Sequence, residues 1–170
     1  ELHRPPLRVD WHRYLLWGCD LSPGSTLLVD APTFDDIGLF DESLRRLEDW
    51  DWLLRFTSRF ELVPVVEPLA RINAGASPKN HVVMAALKQI SKKHLPAAVA
   101  RGWSYQRQFR AALWLERAAV AYRDGRHGLA ALRVLWSLFL FPRRNKAFYA
   151  RMLQRLAEIG RRLLDRMFFK

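Results

Sequence analysis

A single cysteine, Cys19, rules out any disulfide within the chain and fits a reducing compartment. No cluster of four cysteines and histidines is present, so a structural zinc site has no ligands. The longest apolar run, Gly128 to Phe141, has 14 residues and contains Arg133. A helix that crosses a bilayer needs ~20 apolar residues, which excludes this run as a span. No leader with a basic start and an apolar core opens the chain, which begins at Glu1 and enters His3-Arg4-Pro5-Pro6. The expectation is a fragment or excised domain with its upstream part missing. A glycine-rich phosphate loop is also lacking, and with it the mark of a nucleotide-binding Rossmann-like unit.

What is present is a chain of 170 residues, 50% hydrophobic, long enough for one core with a helical appendage. Its charge is lopsided. Sixteen of the 28 Lys and Arg lie after residue 100, against four of the 17 Asp and Glu, so the +11 net charge belongs to the C-terminal part. Such asymmetry suits an anionic partner, a membrane surface or nucleic acid, or else a solvated basic face. No nucleic-acid motif accompanies it, which makes nucleic acid the weaker partner.

Hydrophobic period divides the chain near residue 75. Before it, short β-like runs alternate with turn signals: Leu15 to Trp17 before Gly18, Thr26 to Val29, Glu61 to Val66, and Leu69 to Ile72. Pro64 and Pro68 restrict the last two to edge or interrupted strands. Short helices are expected over Pro32 to Ile37 and Glu48 to Ser58. After it, every pattern is helical. Ser77-Pro78 opens a helix that Pro96 should interrupt near His94. Others span Tyr105 to Arg123, His127 to Phe141, and Lys146 to the end. In the last, Phe148, Met152, Leu156, Ile159, Leu163 and Met167 alternate with arginines, as in a helix lying on anionic lipid or in a bundle that buries its apolar face. The fold class expected is α/β with short strands over residues 1–75, followed by an all-α basic extension over residues 76–170.

Chemistry concentrates in residues 38 to 55. The loop Gly38-Leu39-Phe40-Asp41-Glu42-Ser43-Leu44 leads to Glu48-Asp49-Trp50-Asp51-Trp52-Leu53-Leu54-Arg55. Carboxylates at a helix start are held by orphan backbone N–H groups and by the dipole. That keeps them ionised at neutral pH, which suits a base taking a proton from a hydroxyl. On the residues alone, first-turn capping is the simpler account of Glu48 and Asp49. Asp51 and Arg55 stand at i, i+4, where a surface ion pair is expected. Trp50 is placed to stack on an acceptor sugar, and Trp52 to enter the core. Asp49-Trp50-Asp51 reads Asp-x-Asp, yet two helical residues at that spacing diverge and chelate poorly, so no metal ligand is assigned.

In this order and spacing, residues 15 to 75 resemble the second half of the catalytic domain of family 2 glycosyltransferases. The anchors are Gly18-Cys19-Asp20-Leu21-Ser22-Pro23-Gly24-Ser25-Thr26-Leu27-Leu28, the Gly38 to Leu44 loop, Glu48-Asp49, Arg55, and Glu67-Pro68-Leu69-Ala70-Arg71. The resemblance implies an incomplete GT-A half domain and an inverting transfer from a nucleotide-sugar donor to a carbohydrate or lipid-linked acceptor. Asp49 would be the base and Glu48 an acceptor ligand, while Gly24, Ser25, Asp20, Trp50 and Arg71 would bind substrate. It also implies a divalent metal, Mg or Mn, for the intact enzyme, with ligands outside this chain, so the isolated chain is expected to be inactive or nearly so. The biological setting would be bacterial cell-surface polysaccharide or glycolipid assembly, in the cytoplasm or at the inner face of the membrane. No histidine follows Arg71 before His81, and the arginine-and-tryptophan motif of processive synthases is absent. Two rivals stand: a basic helical module binding anionic membrane or nucleic acid and, last, a glycoside hydrolase. The hydrolase needs carboxylates on opposite faces of a bond, which adjacent residues cannot supply.

Overall fold

The computed structural model describes residues 9–19, 21, 23–65, 67–72 and 78–142. Seven helices follow one another among these: α1 (Trp11–Leu15), α2 (Pro23–Thr26), α3 (Ala31–Ile37), α4 (Glu48–Phe56), α5 (Asn80–Ala100), α6 (Trp103–Arg123) and α7 (His127–Leu140). The helix expected from Lys146 onward lies outside the described residues.

The expected α/β class is overturned, because no strand occurs among the described residues and the first part of the chain is helical or irregular. A strand is stable only when its N–H and C=O groups find a ladder. The runs at 26–29, 61–65 and 69–72 have no such neighbour among the described residues. Leu28 is 97% exposed and Val63 86%, so their apolar side chains are not drawn into a core either. Leu15 to Trp17, also read as β-like, ends α1 and begins a turn. There Leu15 and Leu16 are buried at the end of a helix rather than in a strand.

Local signals account for the helices. Asp10 caps α1, its Oδ1 accepting from the Arg13 backbone N–H at 2.9 Å. Pro32 stands in the first turn of α3, where its missing N–H costs nothing. Helix α5 differs from expectation: it begins at Asn80 rather than at Ser77-Pro78, and it continues through Pro96 to Ala100. The proline deletes one rung of the ladder, but Ile90 and Ala98 are buried on either side of it. Their packing outweighs that rung. Gly102 (φ 115°) and Gly125 (φ 73°) take the positive φ of the two tight turns that bring α5 onto α6 and α6 onto α7.

One main core joins the early and late helices. Leu15 of α1 and Leu16 just after it, Trp50, Leu53 and Leu54 of α4, Leu87 and Ile90 of α5, and Phe109 of α6 are all essentially inaccessible. A smaller cluster of Leu115, Ala118 and Val134 ties α6 to α7. Trp50 donates its indole N–H to the Leu15 carbonyl at 2.7 Å and meets Phe109 edge to face. Trp52 enters the core as expected, giving its N–H to the Gly38 carbonyl at 2.8 Å.

Outside the core, His12 shows how burial sets a proton affinity. Its Nδ1 lies 3.2 Å from Thr57 Oγ1, whose own hydrogen goes to the Leu53 carbonyl at 2.7 Å. The threonine hydroxyl has one hydrogen, so His12 Nδ1 must be the donor. Burial first, then the positive Arg101, lower the His12 pKa to about 4. A histidine with a depressed pKa favours folding while neutral. Stability is therefore complete above about pH 6.5, the unfolded value, and is lost as pH falls from there towards 4. His12→Asn keeps a donor towards Thr57 and removes the titration. Urea unfolding of the variant between these pH values should lose about 1 kcal/mol less than the wild type, the figure being discounted for solvent access to the ring.

Candidate functional site

Helix α4 begins where the backbone is least comfortable. Leu47, which precedes it, has φ 62° and ψ 18°, a left-handed conformation that costs a non-glycine residue about 1–2 kcal/mol. Its side chain still packs against the core. This entry brings Glu48, Asp49, Trp50 and Asp51 in one turn past the Gly38 to Leu44 loop. The four side chains then meet very different surroundings.

Asp51 is the most fully committed. Its carboxylate is inaccessible, and three cationic or titratable side chains converge on it. Arg55 Nε is at 3.1 Å from Oδ2, while Lys93 Nζ at 2.9 Å and His94 Nε2 at 2.8 Å meet Oδ1. Burial pushes its pKa up, but the His94 and Lys93 hydrogen bonds and charges overcome that and bring it down to about 2. An ionised carboxylate only accepts, so His94 presents a protonated Nε2. The expected surface pair with Arg55 is thus corrected: the pair exists, but its acid is buried and shared with α5.

The same cations clamp the preceding loop. Lys93 also reaches Asp41 at 2.6 Å, and Asp41 Oδ1 accepts from the Ser43 amide at 2.9 Å and hydroxyl at 2.6 Å. Lys93 and the Ser43 donors hold the Asp41 carboxyl well below the usual carboxylate range. Arg55 donates to the Ile37 carbonyl at 2.5 Å and to the Leu39 carbonyl at 2.8 Å. The loop is therefore pinned at both ends by side chains of α4 and α5. Sequence reasoning missed Lys93 and His94, which lie some forty residues from Asp51 on another helix. Asp41 was quoted for the loop without a role.

Asp49 is half-buried, and its Oδ1 accepts from the Trp50 amide at 2.7 Å. Burial raises its pKa and the neighbouring Glu48 charge adds to that, while the Trp50 amide and Arg46 oppose. The direction is opposite to that expected from the helix start, because desolvation outweighs the orphan amides here. Glu48 Oε2 is buried without a hydrogen-bond partner among the described residues. A buried carboxylate oxygen left without a partner is uncommon in a folded protein. Trp50, expected at the acceptor, is instead a core residue with no face free for a sugar.

The other expected substrate residues are scattered. Gly24 and Ser25 sit in the short α2, exposed, and a Cβ on Gly24 would meet nothing within 4 Å, so no close approach demands glycine there. Arg71 is exposed in the irregular 67–72 stretch. Asp20 lies outside the described residues. Among the described residues, no hydrogen bond or ion pair is found between Gly24, Ser25 or Arg71 and the carboxyls of Glu48 and Asp49. Two open hollows lie elsewhere. One of about 450 Å³ is lined by Asp10, His12, Thr57 and Glu61, and one of about 270 Å³ lies between α5, α6 and α7.

No group of three His, Cys, Asp or Glu among the described residues is placed to hold a metal ion. Asp49-Trp50-Asp51 does not fit one, since the Asp51 oxygens are engaged by Arg55, Lys93 and His94 and Asp49 Oδ1 by an amide. Compared with protein-family models, with curated proteins and with solved structures, the chain finds no match.

Proposed function

We propose that this chain carries the base of an inverting glycosyl transfer, as part of an enzyme that moves a sugar from a nucleotide-sugar donor to a hydroxyl acceptor. Asp49 takes the proton of the acceptor hydroxyl. The freed oxygen lone pair forms a bond to the anomeric carbon, and the bond from that carbon to the nucleotide diphosphate breaks with its electron pair going to the diphosphate. Attack from the face opposite the leaving group inverts the anomeric centre. The observation that carries this reading is the half-buried Asp49 carboxyl, its proton affinity raised by burial, beside a buried Glu48 oxygen with no partner. A raised pKa makes the carboxylate a stronger base, and the lone pairs of Glu48 Oε2 engage no donor among the described residues.

Earlier in the chain, the Gly38 to Leu44 loop is held by Arg55, Trp52 and Lys93, which all donate into it. A divalent ion, when bound, would neutralise charge on the departing diphosphate. The side chains described here do not fit such an ion, and no step is assigned to it. On this reading the donor nucleotide and the metal are held by residues outside this sequence.

The test is stereochemical. The intact enzyme containing these residues is incubated with nucleotide sugars of defined anomeric configuration and with hydroxyl acceptors. Proton NMR of the first-formed product should show the opposite configuration. A product that retains the donor configuration would overturn the reading, as would transfer unaffected by loss of Asp49.

A further inference from the structure

Two neighbouring helix faces are built unlike the rest of the surface. On α7, Leu132, Leu135, Trp136 and Phe139 recur at i, i+3, i+4 and i+7 and lie between 49% and 69% exposed, with the Trp136 and Phe139 rings stacked 5.5 Å apart. On α6, Trp103, Arg107, Arg110, Trp114 and Arg117 alternate steps of four and three residues, so they share one edge of that helix. The two faces adjoin. Arg107 stacks on Trp103 at 4.3 Å and donates to the Phe139 carbonyl at 2.8 Å, while Arg110, Trp114 and Arg117 line the 270 Å³ hollow together with Trp136 and Leu140. No ion pair among the described residues takes Arg107, Arg110 or Arg117, and α7 contains no acid. Arg133 adds further positive charge, donating to the Arg117 carbonyl at 2.8 Å.

We propose that this face docks on an anionic lipid bilayer, with Leu132, Leu135, Trp136 and Phe139 entering the interface and a headgroup phosphate seated between Arg110 and Arg117. The inference is independent of the transferase reading. Tryptophan beside arginine suits the headgroup level, and an aliphatic and aromatic stripe flanked by cations suits a helix lying in the interfacial plane. Among the described residues no helix is long and apolar enough to cross a membrane.

Charge selects the bilayer over other occupants. A second copy would bring its own arginines, which no ion pair takes among the described residues, against these. Residues 143–170 carry nine Lys and Arg against two acids, so they meet the same repulsion. A nucleic acid would satisfy the arginines but leave Leu132, Leu135 and Phe139 in water.

Vesicle co-sedimentation of the 170-residue protein tests the proposal, at about 0.1 M salt. Binding to mixed phosphatidylcholine–phosphatidylglycerol vesicles should be at least about tenfold tighter than to phosphatidylcholine alone. The double variant Leu135→Ser/Phe139→Ser should lose about tenfold or more, and Arg110→Gln/Arg117→Gln should lose the preference for phosphatidylglycerol. These positions are solvent-facing or line an open hollow, and circular-dichroism melting verifies that the variants are folded. Equal binding to both vesicle types overturns the proposal. So does a serine variant that binds as well as the wild type, since charge elsewhere would then hold the vesicle. Light scattering that shows a dimer lost in the serine variant would assign the face to a second copy instead. Gel shift of a DNA oligonucleotide that the serine variant abolishes would assign it to nucleic acid.

Discussion

On the proposed transferase reading, Asp49→Asn in the intact enzyme should lower kcat by about 10²–10⁴-fold, the range that a positioned base contributes. The KM for the nucleotide sugar should stay within about twofold, because in the proposed step the carboxyl acts on the acceptor and only as the proton moves. The substitution is chosen to separate catalysis from helix capping. Asn retains an oxygen for the Trp50 amide, which Asp49 Oδ1 accepts at 2.7 Å, so the first turn of α4 keeps its bond. Burial disfavours the charged carboxyl at this place. A carboxyl whose folded pKa is raised destabilises the native state once pH exceeds its unfolded value, so removing the charge should leave the melting temperature at pH 7 unchanged or higher. Lost turnover with an undiminished melting temperature is the signature of a base. Lost turnover that tracks lost stability would reduce Asp49 to a cap, and full activity would refute its role outright.

Asp51→Ala should be the most destabilising single change in this region, by about 3 kcal/mol. It strands Arg55, Lys93 and His94 around an empty site, and it loosens the hold of Lys93 and Arg55 on the 38–44 loop. Lys93 retains Asp41 and both long side chains can turn towards water, which keeps the cost at the lower end for a broken buried cluster. For a chain of this size the melting temperature should fall by about 6–12 °C. Acid gives a second readout. Asp51 titrates at about 2 when folded, below its unfolded value near 3.9, so its contribution is complete above pH 4 and is lost as pH falls through 2. The variant should therefore lack the steep decline below pH 4, while the shallower loss owed to His12 between 6.5 and 4 persists. A variant as stable as the wild type would show that the cluster merely neutralises itself.

The helical part of this molecule was legible where local rules act alone. Helices α6 and α7 end at Asp124-Gly125 and before Pro142, close to where those residues halt a helical period. Glu48 to Phe56 and the core position of Trp52 follow from the spacing of apolar side chains. What could not be read depends on partners distant in sequence. The runs around Leu28, Val63 and Leu69 have β-forming composition, but composition does not supply the neighbour a strand needs. Pro96 reads as a stop, and only the burial of Ala98 beyond it shows why α5 continues. Asp51 looked like half of an i, i+4 pair, because the lysine and histidine that bury it arrive from another helix. Trp50 was drawn to the acceptor by its position beside Asp49, yet the Leu15 carbonyl claims its N–H from inside.

The irregular residues 61–65 and 67–72 carry Val63, Val65, Leu69 and Ile72 exposed, with no sheet among the described residues to take up their backbone groups. Such a segment would ordinarily recruit like strands from other molecules into fibrils. Pro64 and Pro68 remove two donors from any incoming ladder, and Glu61 and Glu67 place negative charge beside the valines. Prolines and acids beside exposed apolar side chains oppose the cross-strand pairing on which fibrils depend.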